Sequence, residues 1–97
     1  MFTWINKQGV HSDHGFEVQF TGRFDAEYRE GSSVISLYVE SGMHGGMPCI
    51  IIDPDAFVRW DNGKPIPPEE QAQILQNFTE AMRFQDLKTV VEKGERV

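Results

Sequence analysis

The sequence predicts an α+β fold, a curled antiparallel β-sheet of about five or six strands with one amphipathic helix packed on one face. Three observations predict it. Residues 16–21 and 23–29 alternate apolar and polar side chains, the period of half-buried strands. Residues 67–84, PPEEQAQILQNFTEAMRF, place Ile74, Leu75, Phe78 and Met82 on one helical face with Ala81 beside them. The strand patterns all come first, then the helix, then one short terminal element. That segregation separates α+β from the alternating order of a parallel α/β sheet.

Residues 1–7 alternate loosely, with Phe2 and Trp4 on one side, and fit a first strand. Gln8-Gly9 punctuates it, and His11-Ser12-Asp13-His14-Gly15 is expected to be a polar loop. Phe16, Val18 and Phe20 then face inward, opposite Glu17, Gln19 and Thr21. A turn at Thr21-Gly22 leads to a second strand with Phe24, Ala26 and Tyr28 inward, and the two form an antiparallel hairpin. Glu30–Ser33 is a turn. Ile35, Leu37 and Val39 make the apolar face of a further strand. Residues 41–47, SGMHGGM, are expected to be a flexible loop. Cys49-Ile50-Ile51-Ile52 is a continuous apolar run, as in a strand covered on both faces.

Asp53-Pro54-Asp55 is a turn or bulge, because proline cannot serve a central ladder. Phe57–Trp60 is expected to resume as a strand that Asp61-Asn62-Gly63 ends. In the helix, Pro67 and Pro68 fit the first turn, where a missing N–H leaves nothing unpaired. Glu69 and Glu70 follow at the positive end of the helix dipole. Gln73, Gln76, Glu80 and Arg83 line the opposite, wet face. Residues 88–95 are expected to be a last strand or a second helical segment; Thr89-Val90-Val91 favours the strand.

At 97 residues the chain is read as a single domain over 1–97 with a modest core. An apolar fraction of 39%, with seven Phe and two Trp, argues that the chain is not disordered. No apolar run reaches membrane-spanning length, and residues 1–10 lack a basic-then-apolar signal pattern, so a cytoplasmic protein is expected. Nine basic against fifteen acidic residues leave a net charge of −6, which argues against nucleic acid and permits a basic protein partner.

The residues with potential chemistry are few. His11, Asp13 and His14 in HSDH, with His44 elsewhere, offer metal-ligand types, but nothing fixes the directed geometry that a metal needs. Asp53 and Asp55 could divide acid and base roles, but flanking a proline they fit turn capping better. Gly42-Met43-His44-Gly45-Gly46 lacks the GK[ST] ending of a phosphate loop. Cys49, the single cysteine, reads as a small core residue. There is no G-x-S-x-G motif. The expectation is therefore no enzyme, no cofactor and no metal.

Residues 50–84, IIIDPDAFVRWDNGKPIPPEEQAQILQNFTEAMRF, carry Trp60, Asp61, Pro65, Glu69, Glu70, Ile74, Leu75, Asn77 and Phe84 in a strand–linker–helix pattern. The segment resembles small immunity proteins of bacterial polymorphic-toxin systems. The resemblance implies a small cytoplasmic α+β protein that binds and neutralises a toxin without catalysis. It assigns no functional residue. The expected function is a non-catalytic protein-binding module of that kind; the alternative is a small-molecule-binding or metal-dependent enzyme subunit. The candidate partner-binding residues are Glu17, Asp25 and Glu27. Strand alternation projects them from one polar face, where complementary charge would speed encounter with a cationic groove.

Overall fold

The computed structural model describes residues 1–92. The chain runs β1 (Phe2–Asn6), β2 (Gly9–Ser12), β3 (Phe16–Gly22), β4 (Asp25–Glu30), β5 (Ser33–Tyr38), β6 (Glu40–His44), β7 (Met47–Ile52), α1 (Pro68–Phe84) and β8 (Lys88–Val91). β1 to β5 form one antiparallel sheet in sequence order, and β6, β7 and β8 form a second sheet. The α+β class is as expected. The single curled sheet is not: two sheets share the strands.

Four local differences accompany this. Residues 9–12 are a strand, because Val10 and Ser12 turn inward while His11 faces solvent. Ser12 is read as loop from its polarity, yet its buried Oγ accepts the His14 N–H at 3.0 Å and its carbonyl accepts Gly15 N–H. Residues 41–47 are not a loop but the body of a hairpin. Gly45 and Gly46, at φ 60° and 80°, make its two-residue turn, and positive φ at both positions is what a twisted hairpin asks of that turn. Residues 88–91 are the expected strand, and β8 runs parallel to β7, from Cys49↔Lys88 to Ile52↔Val91. The intervening α1 supplies the crossover that parallel strands need. The second sheet is therefore mixed, and the expected all-antiparallel arrangement fails there.

The fourth difference is at residues 57–60, where no strand forms. Asp53 Oδ1 accepts the Asp55 N–H at 2.8 Å and Asn62 Oδ1 accepts the Lys64 N–H at 2.9 Å, so both flanks turn sharply. Only an isolated bridge joins Arg59 and Pro65. Phe57 still enters the core. The segment lies along the outer edge of β5. Asp61 donates its N–H to the Val34 carbonyl at 2.8 Å, and its carboxylate accepts the Ser36 N–H at 2.9 Å and the Ser36 hydroxyl at 2.6 Å. A side chain here does the work of a sixth strand in closing that edge. Asp61→Ala should lower stability by about 1–2 kcal/mol in a urea titration, because charged hydrogen bonds to β5 are lost.

The helix begins as its sequence dictates, with Pro68 at its first position and Glu69 and Glu70 in its first turn. It ends with Asp86 at φ 61°, a left-handed residue that lets the Asp86 and Leu87 N–H groups bond back to Arg83 and Met82. Ile74, Phe78, Ala81 and Met82 are buried, and Leu75 is half-buried. They meet Val10, Phe16, Val18, Tyr28, Ile35 and Leu37 from the first sheet and Ile50 and Ile52 from the second in one cluster. The apolar stripe of α1 thus covers both sheets.

Candidate functional site

The solvent face of the five-stranded sheet is built by register. His11 pairs across to Glu17, and Glu17 to Arg29; Gln19 pairs to Glu27, and Glu27 to Ser36; Asp25 pairs to Tyr38. Glu17, Asp25 and Glu27 therefore share one face, as the alternation predicts. Two of them have neighbours that the pattern did not assign. Glu17 Oε2 lies 3.1 Å from His11 Nδ1, and Glu27 Oε1 accepts from Arg29 Nη2 at 2.7 Å. These side chains remain 29–49% exposed, so the pairs are surface pairs that add little stability. Across the sheet, Gln19 and Asn6 exchange amide hydrogen bonds. A side chain at Gly9 would strike Gln19, its Cβ falling 2.2 Å from Oε1.

Phe24 corrects an expectation. The hairpin turn is at Arg23-Phe24, not Thr21-Gly22, because Thr21 is an extra residue in β3 between the Phe20↔Ala26 and Gly22↔Asp25 pairs. The bulge breaks the alternation, and Phe24 leaves the core. It stacks on Tyr38 with ring centroids 6.0 Å apart, and the Arg23 guanidinium lies 5.3 Å over its ring. Both rings are more than 40% exposed. This charged face thus carries an aromatic pair at the end where Asp25 sits. The bulge has a sequence signal in the Thr21-Gly22 pair, but that signal reads equally well as the turn itself.

The other singled-out residues are scattered. His11 points at Glu17, His14 lies 3.8 Å from Asp13, and His44 is on β6 with its ring nitrogen 3.0 Å from Lys88 Nζ. The hydrogen bond from the Met1 amino group, at 2.6 Å, holds the Asp13 carboxyl below its ordinary range. Among the described residues, no group of three or more His, Cys, Asp or Glu is placed to hold a metal. Cys49 is buried. Asp53 and Asp55 share the turn described above. A groove of about 240 Å³ between α1 and the end of the second sheet is lined by Asp53, Phe57, Gln71, Leu75 and Val91, among others. It brings together no nucleophile and base.

One buried polar group stands out on the core side. Tyr28 donates its hydroxyl to Glu30 and accepts from Asn77 Nδ2 at 2.9 Å. Burial, then the Glu30 carboxylate, push its phenol well above the ordinary value, and the Asn77 bond partly offsets them. The contact ties α1 to β4, an inner strand of the sheet. Among the described residues no helix is long and apolar enough to cross a membrane. Set against protein-family models, curated proteins and solved structures, the chain matches none.

Proposed function

We propose that this chain is a non-catalytic protein-binding module of the immunity-protein kind, which neutralises a basic toxin domain in the cytoplasm. The observation that carries this is the composition of one face. Glu17, Asp25 and Glu27 lie on it beside the exposed Phe24–Tyr38 pair. Carboxylates attract a cationic surface at a distance, and exposed aromatic faces hold Lys and Arg side chains by cation–π contact. Aromatics are also the residues that most often anchor protein interfaces. The weak pairs with His11 and Arg29 can be exchanged for a partner's cations at little loss. The net charge of −6 favours the same class of partner. The sequence resemblance of residues 50–84 to small immunity proteins also favours the immunity reading, resting on its linker and helix residues because no strand forms at residues 57–60.

Co-expression with the proteins encoded beside its own gene tests the proposal. The chain should restore growth against a toxic neighbour and bind it in a salt-sensitive manner, with association slowing steeply from low to physiological salt. The double variant Asp25→Lys, Glu27→Lys should weaken that binding about ten-fold or more, chiefly through the association rate, and leave the melting temperature nearly unchanged. Full affinity in a folded double variant would remove this face from the interface. Absence of a toxic, bound neighbour would remove the immunity reading.

A further inference from the structure

We infer that the chain self-associates through β6, whose outer edge pairs with β6 of a second copy about a two-fold axis. β6 is an edge strand, bonded to β7 alone among the described strands. The two-residue turn makes His44↔Met47 the closing hydrogen-bonded pair, so Gly42↔Cys49 and Glu40↔Ile51 are the other bonded pairs. Pro48 agrees with this phase. It stands opposite Met43 at a non-bonded position, where its missing N–H removes nothing from the β6–β7 ladder. The N–H and C=O groups of Ser41 and Met43 therefore point outward. Both residues are exposed, and no backbone partner covers them among the described residues.

An open edge of this kind is a template for another strand. Several features of the sequence suit it to its own copy. An antiparallel pairing centred on Gly42 sets Ser41 opposite Met43 of the second copy, and Met43 opposite Ser41. These are the outward-pointing residues, so every free backbone group on the edge finds a partner. Gly42 meets Gly42 at the axis, where the absence of side chains lets the strands approach. Glu40 falls opposite His44 of the second copy, and that ring already lies beside Lys88 on the same face. Each end of the pairing thus sets a carboxylate against a basic pair, and the charges repeat by symmetry. The two three-stranded sheets become one continuous sheet. Self-association of this kind is isologous and closes at two copies. The pairing lies on the second sheet, uses none of Glu17, Asp25 and Glu27, and goes beyond the proposed toxin binding.

Cysteine substitution reads the register directly. Across a bonded antiparallel pair the Cα atoms are about 5.5 Å apart, inside the range a disulfide spans. Ser41→Cys and Met43→Cys proteins, mixed and oxidised, should yield a mixed disulfide dimer, and each variant alone should yield far less. Cys49 is buried, so the unaltered protein supplies the background. Sedimentation of the unaltered protein should show its 11.1 kDa mass rising towards twice that with concentration. Met43→Pro removes an outward donor and no β6–β7 bond, and should hold the protein at the monomer mass with its circular dichroism retained. Should Met43→Pro fail to fold, Met43→Lys combined with Ser41→Lys sets like charges face to face and serves the same purpose. A monomer mass for the unaltered protein up to about 1 mM, the weak limit of useful association, would overturn the inference. So would equal cross-linking of the single variants and their mixture.

Discussion

Phe78→Ala is expected to lower the free energy of unfolding by about 3–5 kcal/mol, the range for emptying a fully enclosed aromatic site. Phe78 is 0% exposed and lies at the middle of the helix stripe, between Ile74 and Met82. Its ring sits 5.7 Å from that of Phe57, which the 57–66 segment delivers to the core. The substitution therefore loosens both α1 and that segment, leaving the segment to its Asp61 bonds with β5 and the helix to its Asn77–Tyr28 bond. Domains of this size have stabilities of about 5–15 kcal/mol, so the variant should unfold at much lower urea with an unchanged slope. A loss below about 1 kcal/mol would show that α1 does not dock through this face.

Tyr28→Phe is expected to remove about 1–2 kcal/mol at neutral pH, because Asn77 and Glu30 lose their shared partner while the ring keeps its packing. That ring stacks on Phe16 at 5.6 Å and lies 6.5 Å from Trp60, contacts that phenylalanine preserves. The alkaline limb separates the hydroxyl's role from the ring's. The folded phenol holds its proton above the unfolded value of about 10, so the unfolded chain releases a proton there and the native state does not. Stability from Tyr28 is complete below about pH 10 and falls as pH rises towards the folded value. The stability difference between the native protein and Tyr28→Phe should thus be flat from neutral pH to about pH 9 and shrink above about pH 10. A difference that grows with pH would reverse the assignment of the hydrogen bonds.

What was legible in the sequence was what period alone decides. Ile74, Phe78, Ala81 and Met82 declared the buried stripe of α1, and Phe16, Val18, Ala26, Tyr28, Ile35 and Leu37 declared the core face of the first sheet. The shared face of Glu17, Asp25 and Glu27 followed from the same alternation. What period could not decide was where it restarts. The extra residue at Thr21 moved the turn and sent Phe24 outward, and a second irregularity lies between Trp4 and Asn6 in β1. Composition misled at two places. Ser12 and His11 looked like loop although the turn after β2 satisfies the Ser12 hydroxyl and His11 lies on the solvent face, and the glycines of residues 41–47 looked mobile although two of them fix a tight turn. The parallel pairing of β8 is a long-range choice with no local signature, since four residues read alike in either direction.

The order of the strands has a consequence for how the protein is made. The first sheet is a meander, each strand pairing with the one just synthesised, so its ladder can assemble as the chain leaves the ribosome. Its apolar face then waits. The helix that covers it is not complete until residue 84, and β7 lacks its second neighbour until residues 88–91 have emerged. Through that interval a finished sheet presents Val18, Tyr28 and Ile35 to the cell, a surface on which chains can aggregate. Loss of residues 88–92 should therefore harm yield in vivo more than the size of the deleted strand suggests. The nascent chain would keep the early sheet and never receive the strand that locks the helix over it.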